Sequence, residues 1–182
     1  SVWDQRSAQN YAPFDLPKNG PKYDRAFLLV TVLAKGGCCV VEKLEVWTSV
    51  CDTTQPGLST GDPHITTVDG LSYDFQGRGE FLHYADKHAM VQTRMEQAGN
   101  TPASVNSAFA LSVYGARVTV ERSEGTNTPL LRVNGEVVGH ASGSFFRIKT
   151  GEDTVGTLRV AGSLAPRQAL VYHVQFFKNG NP

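Results

Sequence analysis

The amino-acid sequence predicts an all-β fold, a β-sandwich or meander of short antiparallel strands with little helix. Three observations predict it. Short runs rich in β-branched and large apolar residues recur along the chain. Turn-forming residues separate them, and Asn134-Gly135 is the strongest hairpin signal. No segment carries a sustained apolar stripe at the helical period with caps at its ends. With 182 residues, 40% hydrophobic and 19% charged, the chain can bury a core.

Residues 1–25 show little periodicity and read as loop or lead-in strand. Residues 26–34 form an apolar run broken by Lys35-Gly36-Gly37. Residues 38–47 come next, with Leu44 and Val46 alternating against Lys43 and Glu45. Two such runs around a Gly-containing turn make a hairpin. Residues 55–61 read as a turn-rich connector. Strands at 79–84 and 89–95 then flank Asp86-Lys87, and strands at 108–114 and 116–121 flank Gly115. Strands at 130–133 and 136–138 flank Asn134-Gly135, and runs at 145–149, 157–160 and 169–177 complete the series. Residues 1–57 therefore read as a hairpin-containing segment, either the end of a preceding β-sandwich or an edge added to the main domain. Residues 58–182 read as that main domain.

Composition narrows the function. The 17 basic and 17 acidic side chains cancel, which argues against nucleic acid as a partner. The apolar run at 26–33 is too short to span a bilayer, so no membrane insertion is expected of this segment. The start at Ser1 and the abrupt polar end, Lys178-Asn179-Gly180-Asn181-Pro182, suggest a segment of a longer protein. No N-x-[ST] acceptor occurs, so no N-glycan is expected.

Enzyme motifs are lacking: there is no G-x-S-x-G, no P-loop, no G-x-G-x-x-G and no H-E-x-x-H. The five histidines, His64, His83, His88, His140 and His173, are scattered. His83 and His88 flank a turn and could meet across a hairpin, but solvated surface histidines are the commoner outcome. The three cysteines, Cys38, Cys39 and Cys51, form no C-x-x-C pair. Cys51 can pair with either Cys38 or Cys39, leaving an odd thiol. All three can equally be free, partly buried small hydrophobes.

The informative stretch is Gly61-Asp62-Pro63-His64, continued by Thr67-Val68-Asp69-Gly70-Leu71-Ser72-Tyr73-Asp74-Phe75-Gln76-Gly77. Asp69-Gly70 supplies a tight turn. Tyr73 and Phe75 share one face of the next strand, and Ser72 and Asp74 the other. Gly77 and Gly79 suggest a bulge or a bend. As architecture alone, Tyr73, Phe75 and Gly77 read as fold scaffolding. This run resembles the opening of a von Willebrand factor type D domain, and the resemblance extends over about residues 61–177. The chain departs from that family in having no cysteine in residues 52–182 and no cysteine-rich C-terminal loop.

The resemblance implies an extracellular compartment, disulfides from Cys38, Cys39 or Cys51 and a calcium ligand at Asp69. It also implies a self-cleavage site, because several relatives, gel-forming mucins and repulsive guidance molecules among them, are cut between the Asp and Pro of this tetrapeptide. The chemistry is intelligible from the residues. The Asp62 carboxylate can attack its own carbonyl carbon, the proline nitrogen is a basic leaving group, and His64 can deliver a proton to it. The plain alternative is a strand-initiating turn in which Pro63 sets φ and Asp62 accepts a local N–H.

The reading is a non-enzymatic structural or assembly module of a secreted or cell-surface protein: matrix, mucus, adhesive or extracellular filament. Its partners are other copies or neighbouring domains of its parent. Two alternatives from other classes stand beside it. One is a module of a large, vitellogenin-like lipid-transfer protein. The other is a receptor-binding ligand of the guidance-molecule type.

Overall fold

The computed structural model describes residues 26–34, 41–48, 57–66, 71–85, 87–123, 126, 128–139, 141–162 and 170–177. Its strands are β1 (Ala26–Ala34), β2 (Val41–Thr48), β3 (Gly57–Thr60), β4 (His64–Thr66), β5 (Ser72–Asp74), β6 (Gly79–Ala85) and β7 (Ala89–Gln97). They continue with β8 (Ser104–Val113), β9 (Ala116–Arg122), β10 (Pro129–Val133), β11 (Glu136–Val137), β12 (Phe145–Thr150), β13 (Asp153–Gly162) and β14 (Leu170–Phe177). The described residues contain no helix, and none long and apolar enough to cross a membrane. The all-β expectation holds.

The strands pair antiparallel into two sheets. One holds eight strands in the order β12-β13-β14-β1-β2-β3-β4-β5, the other six in the order β11-β10-β9-β8-β7-β6. Side-chain alternation explains why the sheets stack. In β14, Leu170, Tyr172, Val174 and Phe176 are buried while their neighbours are half-buried. These meet Phe109, Leu111, Val118 and Val120 of the smaller sheet in one continuous core. The two ends of the described chain meet inside the larger sheet, since β1 pairs with β14 from Ala26 opposite Phe177 to Ala34 opposite Leu170. β1 and β2, read from sequence as a hairpin ahead of the motif, thus lie inside the sheet, with β1 between β14 and β2.

Three departures from the sequence reading have physical causes. Residues 57–60, expected as connector, form β3 and pair with both β2 and β4. This strand is built of Gly, Leu, Ser and Thr, so no apolar alternation marks it. Ser59 is buried nonetheless, and Asn106 Nδ2 of the facing sheet donates to its Oγ at 3.0 Å. β8 begins at Ser104, earlier than the apolar run, because Ser104, Asn106 and Ser107 are buried polar residues held by hydrogen bonds. β13 starts at Asp153, ahead of its apolar run, because Asp153 and Thr154 pair with Thr150 and Lys149 of β12, and β14 joins only from Gly156 onward.

The Asn134-Gly135 hairpin forms as expected, with φ of 52° and 89° at its two central residues. Asn134 also ties the two sheets together. Its backbone N–H donates to Arg117 O at 2.8 Å and its Oδ1 accepts the Arg117 N–H at 2.9 Å, both in the smaller sheet. Its Nδ2 donates to Lys149 O of β12, in the larger sheet, at 2.8 Å. Gly77 marks a close approach. A Cβ there would stand 2.2 Å from Phe75 Cε1 and 2.6 Å from Phe81 Cζ. Those rings form an edge-to-face pair with centroids 4.9 Å apart.

Replacing Gly77 by Ala must therefore force the two rings apart, and a loss of about 1–3 kcal/mol is expected in urea unfolding. Replacing Asn134 by Ala strains a positive φ and removes both side-chain hydrogen bonds, for a similar loss. Asn134→Gly keeps the turn and should cost less.

Candidate functional site

Gly61, Asp62 and Pro63 form the loop of the β3–β4 hairpin, because Thr60 pairs directly with His64. Gly61 turns the chain with a φ of 64°. Pro63 is buried, and its carbonyl accepts the Phe75 N–H at 3.0 Å. On the buried side, Ile65 enters the core and Ser59, opposite it, is held by Asn106. The hairpin thus has a fixed inner face and a polar outer face.

On the outer face the β4–β5 register sets His64 opposite Asp74 and Thr66 opposite Ser72. His64 Nδ1 lies 2.6 Å from Asp74 Oδ1, and Thr66 Oγ1 lies 3.1 Å from Ser72 Oγ. The other imidazole nitrogen, Nε2, lies 3.0 Å from Asp62 Oδ1. One imidazole therefore bridges two carboxylates. All three side chains are exposed, at 55% for Asp62, 58% for His64 and 71% for Asp74. The hydrogen bond to Asp74 and the charges of Asp74 and Asp62 raise the His64 pKa above its ordinary value. Its protonated form, with a donor on each nitrogen, satisfies both carboxylates at once.

The sequence singled out Asp62, Pro63 and His64, and the hairpin brings them together. It did not single out Asp74. Alternation places Asp74 on the face opposite Tyr73 and Phe75, but only the strand register shows what it faces. Tyr73 and Phe75 pack against the core, as scaffolding residues should. Asp69, Cys38, Cys39, Cys51 and His140 lie outside the described residues. Among the described residues, no group of three or more His, Cys, Asp or Glu side chains is placed to hold a metal ion.

His83 and His88 do not behave alike. His88 is exposed, its ring 4.8 Å from that of Tyr114. His83 is not the solvated histidine expected. It is buried, its Nε2 lies 2.7 Å from Thr93 Oγ1, and burial lowers its pKa to about 4. The unfolded chain then binds a proton near pH 6.5 that the folded chain refuses until about pH 4. Stability is complete above the unfolded value and falls as pH drops through that window. Urea unfolding at pH 7 and pH 4 should differ by up to about 3 kcal/mol from this group, and His83→Gln should flatten that dependence.

No protein-family model matches the chain. Mucin-4 of Homo sapiens is 43% identical over 60 residues, a match covering 31% of this chain and 1% of Mucin-4. Protein mesh of Bombyx mori is 41% identical over 61 residues, covering 31% of this chain and 4% of that protein. The chain therefore resembles a small part of each of these much longer proteins.

Proposed function

We propose that this chain is a non-enzymatic structural module of a larger secreted or cell-surface protein, and that it cuts its own Asp62–Pro63 bond. The similarity to part of a mucin supports the location and the structural role. Its partners are neighbouring domains or further copies of the parent. One observation carries the chemistry: the 3.0 Å contact between His64 Nε2 and the Asp62 carboxylate, beside the Asp-Pro bond.

The free oxygen of the Asp62 carboxylate attacks the Asp62 carbonyl carbon, forming a C–O bond and a cyclic anhydride. The bond from that carbon to the Pro63 nitrogen breaks. The imidazolium of His64 gives that nitrogen its Nε2 proton, leaving a neutral imidazole and a new Pro63 amino terminus. Water opens the anhydride, so the sum of the fragments is the parent plus one water. The exposure of the site gives water ready access. The raised pKa of His64 keeps the acid form populated further towards neutral pH, and cutting should speed up as pH falls through that value.

The topology bears on the fate of the pieces. The amino-terminal fragment carries β1, β2 and β3, which lie between β14 and β4 of the other fragment. Their buried residues, such as Val41, Leu44 and Val46, share one core with β14. The cut chain should therefore remain a single non-covalent particle.

Intact mass before and after a day at pH 5.5, under reducing conditions, tests this. Two masses split between Asp62 and Pro63 are expected, and Asp62→Ala or His64→Ala should leave one. The cut protein should elute natively as one species and separate only in denaturant. A single unchanged mass for the unaltered chain after prolonged incubation would reject the proposal.

A further inference from the structure

We infer that Asp74 is a positioning residue for this reaction, holding the His64 imidazole so that Nε2, and not Nδ1, faces Asp62. The inference rests on the self-cleavage reading and extends it to a residue ten positions beyond His64.

An imidazole on an exposed, freely rotating side chain has no reason to keep one ring orientation in water. Here it has a partner on each nitrogen, at 2.6 Å and 3.0 Å. The partner on Nδ1 is itself fixed by the sheet. Asp74 pairs with His64 across β4 and β5, and both neighbouring contacts are made. On one side the Phe75 N–H donates to Pro63 O at 3.0 Å, and on the other Thr66 and Ser72 pair through their backbones, which their side chains do not decide. Asp74 thus belongs to a rung of a closed ladder, whereas Asp62 sits on the loop that must move during reaction.

The acceptor character of a carboxylate dictates the proton chemistry. Asp74 Oδ1 can only accept, so it holds a proton on Nδ1 in both ionisation states of the ring. All proton exchange is then confined to Nε2. As imidazolium, Nε2 donates to the departing Pro63 nitrogen. Once neutral, the same nitrogen is an acceptor and can take a proton from the water that opens the anhydride. One side chain then serves both halves of the reaction because a second one fixes its tautomer. Among the described residues, Asp62 and Asp74 are the charged groups that act on His64.

The test compares the unaltered chain with Asp74→Asn and Asp74→Glu, and with Ser72→Ala as a control that alters the neighbouring rung alone. Cutting is followed by mass from mildly acidic to mildly alkaline pH, and the His64 titration by NMR in an uncut Asp62→Ala background. Asp74→Asn should cut more slowly by about tenfold or more. Its acid-side rise should move to lower pH, and its His64 titration should move the same way. Asp74→Glu should recover part of both, and Ser72→Ala should match the unaltered chain. Equal rates and profiles for Asp74→Asn and the unaltered chain would remove Asp74 from the reaction while leaving self-cleavage in place. Slower cutting with an unmoved pH profile and an unmoved His64 titration would make its role merely structural. An unaltered chain that never cuts would overturn both readings.

Discussion

The pairing of β1 with β14 is the constraint that places every strand around the motif. It joins residues from opposite ends of the described chain into adjacent strands. Through it, β2 and β3 lie inside the larger sheet, and β3 is in place to carry the hairpin loop at Gly61, Asp62 and Pro63. Such a contact closes a long loop of chain, which is entropically costly. Burial offsets the cost, since alternate residues of β14 enter the shared core. The fold is therefore not a motif with strands appended. It is a sandwich in which the strands before the motif are structural members.

Two kinds of polar contact hold that sandwich in register. Inside, Asn106 reaches from the smaller sheet to Ser59 beneath the β3–β4 hairpin. Its Oδ1 has no hydrogen-bond partner among the described residues, so the contact contributes position more than stability. At the surface, Asn134 joins β9 to β12 through its side-chain amide. The first fixes the inner face of the hairpin while leaving its outer face exposed. That division lets the loop be held firmly at its base and remain open to water at its tip.

His64 and His83 have opposite electrostatic surroundings. His64 stands in water between two carboxylates, and its charged form is favoured. His83 stands in the interior against a threonine hydroxyl, and its neutral form is favoured. Acidification therefore loads the surface histidine with a proton while it weakens the fold through the buried one. Because His64 is exposed, its contacts to the carboxylates have little weight in overall stability. Their value is orientation.

Much of this protein is legible in its residues. Alternating apolar runs with turn dipeptides between them mark most of the strands, since side-chain period and turn geometry are local properties. Asn134-Gly135 names its hairpin because positive φ is a property of those residues. Gly61-Asp62-Pro63-His64 names a candidate reactive bond because the chemistry of Asp-Pro is also local. Strand character, turns and that bond can therefore be read one segment at a time. Residues 57–60 as an inner strand, the burial of His83 and the placement of Asp74 opposite His64 cannot, and they emerge only in the folded sandwich. Each depends on pairing register between separate segments. Register is set by the sum of many contacts across two sheets, and no single run of residues encodes that sum.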